Sequence, residues 1–152
     1  MKAGADDTVP SEVLLVEDNP GDVRLTLEAF REANRAINLH VAADGVEAMA
    51  FLLRTGAQTR APRPDLILLD LNLPKMDGRE VLAHIKNDPS LKLIPTVILT
   101  TSDADADILK SYQLQANCYL TKPVQLEAFE ALVQNITDFW LTTVRLPRTA
   151  AK

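Results

Sequence analysis

Five side chains suited to phosphoryl or metal chemistry stand at equivalent points of the chain, each closing or directly following a short apolar run. Glu17 and Asp18 follow Val13-Leu14-Leu15-Val16, Asp70 follows Leu66-Ile67-Leu68-Leu69, Thr100 follows Pro95-Thr96-Val97-Ile98-Leu99, and Lys122 follows Cys118-Tyr119-Leu120. If these runs are parallel strands, their carboxyl ends share one edge of the sheet and the polar side chains converge there. Three gathered carboxylates repel one another and are costly to hold without a compensating cation. Oxygen ligands of this kind suit a hard cation such as Mg²⁺, which takes one or two carboxylates together with waters and phosphate oxygens. A single acid at a strand end is ordinary, so the ordered set carries the signal. His40 and His84 lie outside it without a second ligand at metal-binding spacing, and read as surface or packing residues. Cys118 reads as an inert packing residue.

The elements that must position these groups are legible as apolar runs alternating with amphipathic stretches, the pattern of repeated βαβ units. The continuously apolar first and third runs suit strands buried on both faces. Leu66 to Leu69 is the most apolar and is expected at the centre, whereas Asn38 to Ala43 alternates as an edge strand does. Pro20 opens a first helix whose buried face is Val23, Leu27 and Phe30. Asp44 caps a second, with Val46, Met49, Ala50 and Leu53 as its stripe. Thr55 to Pro64 is a long loop, Asp77-Gly78 leads into a third helix with Val81, Leu82 and Ile85, and Asp103 to Gln115 forms a weakly amphipathic fourth. A last helix follows Lys122-Pro123. Five strands and five helices joined by short right-handed crossovers predict a flavodoxin-like α/β fold, a doubly wound parallel sheet of order 2-1-3-4-5. Ligands in that topology sit at the switch between the first and third strands.

Composition sets limits on partners. The chain has 152 residues, 47% hydrophobic and 24% charged, with a net charge of −5. That balance is of an ordinary globular domain, and without a basic stripe it argues against nucleic-acid binding. One cysteine fits a reducing compartment, no apolar run approaches the roughly 20 residues of a membrane span, and a cytoplasmic location is expected. Residues 1–11 are polar, include Asp6 and Asp7, and read as a disordered lead.

The set Glu17-Asp18, Asp70, Thr100 and Lys122-Pro123 resembles the signature of bacterial two-component receiver domains. Thr100 lies 30 residues after Asp70 and Lys122 lies 52 after it, which adds specificity. The resemblance covers residues 12–142, leaving 143–152 as a tail. It implies that Asp70 takes a phosphoryl group from a phosphohistidine on a sensor histidine kinase, and that the chain catalyses only its own phosphorylation and dephosphorylation. It further implies that Asp18 ligates Mg²⁺ directly, Glu17 largely through a water, and Asn72 by its backbone carbonyl, with Lys122 neutralising phosphoryl charge. Thr100 and Tyr119 correspond to the family's switch pair, and Lys122-Pro123 to a cis peptide bond.

Other readings are weaker. A Mg²⁺-dependent aspartyl-phosphate phosphatase generally needs a second acid near the nucleophile, where this chain has Asn72. A nucleotide site is disfavoured by the acidic Glu17-Asp18-Asn19-Pro20-Gly21 turn, which lacks a Gly-rich cradle. A non-phosphorylated scaffold would not need the whole set.

The stretch after Pro123 is short, so output is expected through protein association rather than an attached effector. The last helix carries Leu126, Phe129, Leu132, Val133 and Ile136 as core. Phe139, Trp140, Leu141, Val144 and Leu146 extend beyond it, and are expected to form a homodimer interface. That tail and the Thr55–Pro64 loop resemble receivers that work with phytochrome histidine kinases.

Overall fold

The apolar runs become five parallel strands. A computed structural model describes residues 9–33 and 35–147; most of the N-terminal lead and the last residues of the tail lie outside them. The strands are β1 (Ser11–Val16), β2 (Ile37–Ala42), β3 (Leu66–Leu69), β4 (Thr96–Thr100) and β5 (Cys118–Thr121). Between and after them run α1 (Pro20–Arg31), α2 (Gly45–Leu53), α3 (Gly78–Asn87), α4 (Asp105–Gln113) and α5 (Leu126–Asp138). The sheet order is β2-β1-β3-β4-β5, the one expected among the few that the crossover rules leave. β1 starts at Ser11, inside the stretch assigned to the lead, because Ser11 pairs with Ile37.

Strand side chains alternate between faces, and the core divides accordingly. Leu14, Val16, Ile67, Leu69 and Ile98 pack with α2 and α3, while Val13, Leu15, Leu66, Leu68 and Val97 pack with α1 and α5. β3 lies in the middle with all four side chains buried. β2 is an edge strand in which only Ala42 is buried, while Asn38 and Val41 are exposed.

The helices hold two corrections. α1 begins as expected, with Asn19 accepting from the Asp22 N–H and Pro20 in the first turn, but its buried residues are Thr26, Ala29 and Phe30. Val23 packs at the core's margin. In α2 the stripe Val46, Met49, Ala50 and Leu53 is not the buried one; Gly45, Ala48, Phe51 and Leu52 are, and Val46 and Leu53 are exposed. The cause is at the first turn. A Cβ on Gly45 would lie 2.1 Å from the Met76 carbonyl oxygen, so the glycine is pressed against the loop after β3. That contact sets the rotation of α2, and residues three, six and seven positions on then face inward. α4 buries only Ser111 and has no side-chain N-cap, in keeping with its weak amphipathicity. α5 runs into a wide π-type turn, Phe139–Thr143.

A third correction concerns Lys122-Pro123. The described residues contain no cis peptide bond, so this one is trans, the form favoured by about 0.5–1 kcal/mol at X–Pro bonds. The histidines stand away from the strand ends: His40 contacts Glu12 at 2.7 Å and stacks at a tilt on Phe51.

Candidate phosphoryl-acceptor site

Strand register brings the polar ends together. Val16 pairs with Leu69, so Glu17 and Asp70 emerge side by side; Thr100 pairs with Thr121, which places Lys122 one residue beyond. The Asp70 N–H donates to the Val16 carbonyl at 3.1 Å, and the Lys122 N–H to the Thr100 carbonyl at 2.7 Å. Each functional side chain therefore hangs from a backbone already fixed by the sheet.

Asp70 is held at both oxygens. The Thr100 hydroxyl donates to Oδ1 at 2.8 Å, the Asn72 N–H to the same oxygen at 3.1 Å, and Lys122 Nζ to Oδ2 at 3.0 Å. Behind it the chain turns through Leu71–Asp77 into α3, where the Gly78 N–H donates to the Leu71 carbonyl at 2.9 Å. A Cβ on Gly78 would lie 2.2 Å from the Asp70 carbonyl oxygen and 2.6 Å from the Leu71 Cα. Glycine is needed there because the helix start passes directly over the backbone of the acceptor residue.

Lys122 is the hub. Its side chain is 5% exposed, and its ammonium donates to Glu17 Oε1, to Asp22 Oδ2 at 2.9 Å and to Asp70 Oδ2. Burial alone would lower its pKa, but the hydrogen bonds to Glu17 and Asp22 and the charge of Asp70 outweigh it and raise the pKa above the ordinary lysine value. Glu17 is pushed up to about 7, first by burial and then by the neighbouring Asp70 charge, against the opposing pull of Lys122. The buried polar cluster is a net acid held together by one cation.

Glu17, Asp18 and Asp70 each offer a carboxylate oxygen, and these atoms lie within 4.8 Å of one another. Glu17 and Asp70 are buried and Asp18 is exposed, so the group faces outward. An all-oxygen set of this charge fits a hard divalent cation, rather than one that seeks thiolate or imidazole.

A second network, absent from the sequence expectations, borders the site. Arg79 in α3 bonds Asp107 of α4 at 2.7 Å and its own N-cap, Asp77, at 3.1 Å. Ser102, two residues after Thr100, donates to Asp107 at 2.6 Å and accepts the Tyr119 hydroxyl on its carbonyl at 2.8 Å. Tyr119 is thus half-buried and tethered to the β4–α4 loop. Arg79 and Asp107 sit 28 residues apart on different helices, a pairing that no periodicity announces. Asp22 is the other residue missed. Its signal was its place in the first turn after Pro20, beside the acid pair.

At the far end of the chain the five expected interface residues separate. Leu141 is buried, and Trp140 and Leu146 pack on the α1–α5 side of their own core. Val144 is half-buried, while Phe139 remains 53% exposed and meets Trp140 edge-on.

Comparison with known proteins agrees with this geometry. Residues 13–134 match the response regulator receiver domain family. Response regulator Rcp1 of Synechocystis sp. is 52% identical over 138 residues, covering 91% of this chain and 94% of Rcp1. The crystal structure of Mn²⁺-bound Rcp1 superposes with a TM-score of 0.88, covering 91% of this chain and 100% of that one. The phosphorylated cyanobacterial phytochrome response regulator RcpA is 50% identical with a TM-score of 0.89, covering 92% of this chain and 100% of that one. The shared fold extends over the strands that carry the site.

Proposed function

Since the chain belongs to the response regulator receiver domain family, we propose that it takes a phosphoryl group onto Asp70 from a phosphohistidine of a sensor histidine kinase. The observation that carries this reading is Asp70 held between Thr100 and Lys122 beside Glu17 and Asp18. An Asp70 oxygen bonds to phosphorus as the P–N bond breaks, and the electron pair leaves with the imidazole. Aspartate is a weak nucleophile, so positioning and charge neutralisation supply most of the catalysis. Thr100 and the Asn72 N–H fix one carboxylate oxygen, and Lys122 stands where negative charge accumulates on the phosphoryl oxygens.

Asp18, Glu17, Asp70 and the Asn72 carbonyl are the groups that would hold Mg²⁺, whose bound charge would offset that of the phosphoryl oxygens. Thr100 and Tyr119 form the switch pair. Thr100 gives up its bond to Asp70 for a phosphoryl oxygen, and the change reaches Tyr119 through the β4–α4 loop that carries Ser102. The likeness to RcpA, named as a phytochrome response regulator, supports a phytochrome as the kinase; the cytoplasm is the proposed setting.

Incubation with Mg²⁺ and phosphoramidate is expected to add about 80 Da to the wild type, the mass of one phosphoryl group on the single nucleophile. Asp70→Asn is expected to add nothing. An unmodified wild type that also binds no Mg²⁺ would leave a scaffold role.

Output through protein association is supported by exposed apolar side chains on α4 (Leu109, Tyr112), in the loop before α5 (Val124) and at its start (Leu126). Homodimerisation at the C-terminal end rests on Phe139, left open while its neighbours fold inward. Phe139→Asp is expected to lower the dimer fraction in light scattering coupled to gel filtration, with the unfolding midpoint nearly unchanged. An unaltered dimer would place the interface elsewhere.

A further inference from the structure

An ammonium has three N–H donors, and all three of Lys122 are engaged, by Glu17, Asp22 and Asp70. The three acceptors differ in what the proposed reaction does to them. Asp70 loses its carboxylate charge when it is phosphorylated. Glu17 belongs to the oxygen cluster that would gather a cation. Asp22 lies outside that cluster and takes no part in bond making. It is therefore the one acceptor that neither bonds to phosphorus nor belongs to the cluster that would gather a cation.

Asp22 is also well placed to hold still. It lies in the first turn of α1, where the helix dipole favours an anion. Its N–H donates to the capping Asn19 Oδ1 at 3.0 Å, and its carbonyl accepts the Thr26 hydroxyl at 2.7 Å. Thr26 is itself 1% exposed. The Asp22 backbone is pinned from both sides, and its carboxylate reaches Lys122 from the first turn of α1.

We propose that Asp22 is a positioning residue for phosphoryl transfer, anchoring Lys122 Nζ so that the donor released by Asp70 points at the incoming phosphoryl group. Without it the ammonium collapses onto Glu17 and Asp70 and is less free to follow the phosphoryl oxygens. This inference rests on the phosphoryl-acceptor function above. Simple charge repulsion makes the opposite prediction, because removing one of four carboxylates would ease the approach of an anionic donor.

The test uses phosphoramidate protonated on nitrogen. An Asp70 oxygen bonds to phosphorus while the P–N bond breaks and its electron pair leaves with neutral ammonia. With saturating Mg²⁺ and varied phosphoramidate, Asp22→Ala is expected to lower the maximal rate of phosphoryl uptake about tenfold. The half-saturating donor concentration should stay nearly the same. Asp22→Asn, which keeps an acceptor oxygen, should recover most of the loss.

In the metal-free protein, the Lys122 ammonium resonance in ¹⁵N–¹H spectra should be slow to exchange in the wild type, and broadened in Asp22→Ala. A faster or unchanged rate in Asp22→Ala overturns the proposal. So does an ammonium signal that is indifferent to the substitution. Failure of the wild type to take up phosphate, with the ammonium signal still dependent on Asp22, would instead remove the acceptor function on which the proposal rests.

Discussion

Gly78→Ala is expected to destabilise the fold by about 2–4 kcal/mol and to reduce phosphoryl uptake on Asp70 in the protein that remains folded. Overpacking of a well-filled site costs about 1–3 kcal/mol when neighbours can shift, and more when they cannot. Here the new methyl group would meet backbone on every side: the Asp70 carbonyl at 2.2 Å, the Leu71 Cα at 2.6 Å and the Leu71 carbonyl at 2.9 Å. None is the end of a flexible side chain. Leu71 is itself fully buried, and Asp70 is fixed by its N–H bond to Val16.

Relief must therefore come by lifting the start of α3 away from β3. That motion pulls Asp70 off the oxygens' present alignment with Thr100 and Lys122. Urea unfolding gives the stability loss, and intact mass after Mg²⁺ and phosphoramidate treatment gives the uptake. A loss below about 0.5 kcal/mol, the range of ordinary surface substitutions, would show that the loop after β3 yields easily. The site's geometry would then owe little to Gly78.

The glycine illustrates which parts of this molecule can be read in its sequence. Strand β3 is four consecutive large aliphatics, the run that a short strand buried on both faces carries. Once the five runs are ordered by right-handed crossovers, the converging acids, threonine and lysine follow, because a strand's end is fixed by its register. Helix rotation is less determined. α2 contains two apolar stripes of similar strength, and the close approach of Gly45 to Met76 decides between them.

Side chains that reach the site from outside the sheet are harder still. Asp22 enters from a helix, and the Arg79–Asp107 pair joins two helices whose spacing depends on the whole packing. Their residue types are common on any solvated helix face; Asp22 is marked only by its place in the first turn beside the acid pair, and nothing in the sequence marks Arg79 and Asp107 as partners.

Lys122→Met is expected to destabilise the metal-free protein in a strongly pH-dependent way. Removing one partner of a buried ion pair leaves the other charge uncompensated, at a cost of about 3–5 kcal/mol. In this site the uncompensated groups are Glu17 and Asp70, both buried. Glu17 in the wild type already sits at about 7, against an ordinary value of 4.5, because burial and Asp70 outweigh Lys122. The folded state therefore binds more protons than the unfolded one between those values. Its contribution to stability is full below about pH 4.5 and is lost as pH rises through about 7.

Without Lys122 the opposing pull disappears, and the Glu17 value moves further upward. The variant's loss of stability should then be smallest at pH 5, where Glu17 carries its proton in both. The gap should widen steadily toward pH 8, where the folded variant must either bury two unpaired carboxylates or retain a proton at a growing cost. Urea unfolding in EDTA at pH 5, 6, 7 and 8 measures the difference directly. A constant difference across that range would mean that Lys122 stabilises the fold by packing alone, and that Glu17 is not the group under electrostatic load. A divalent cation, by supplying positive charge to the same oxygens, should narrow the gap at pH 8 more than at pH 5.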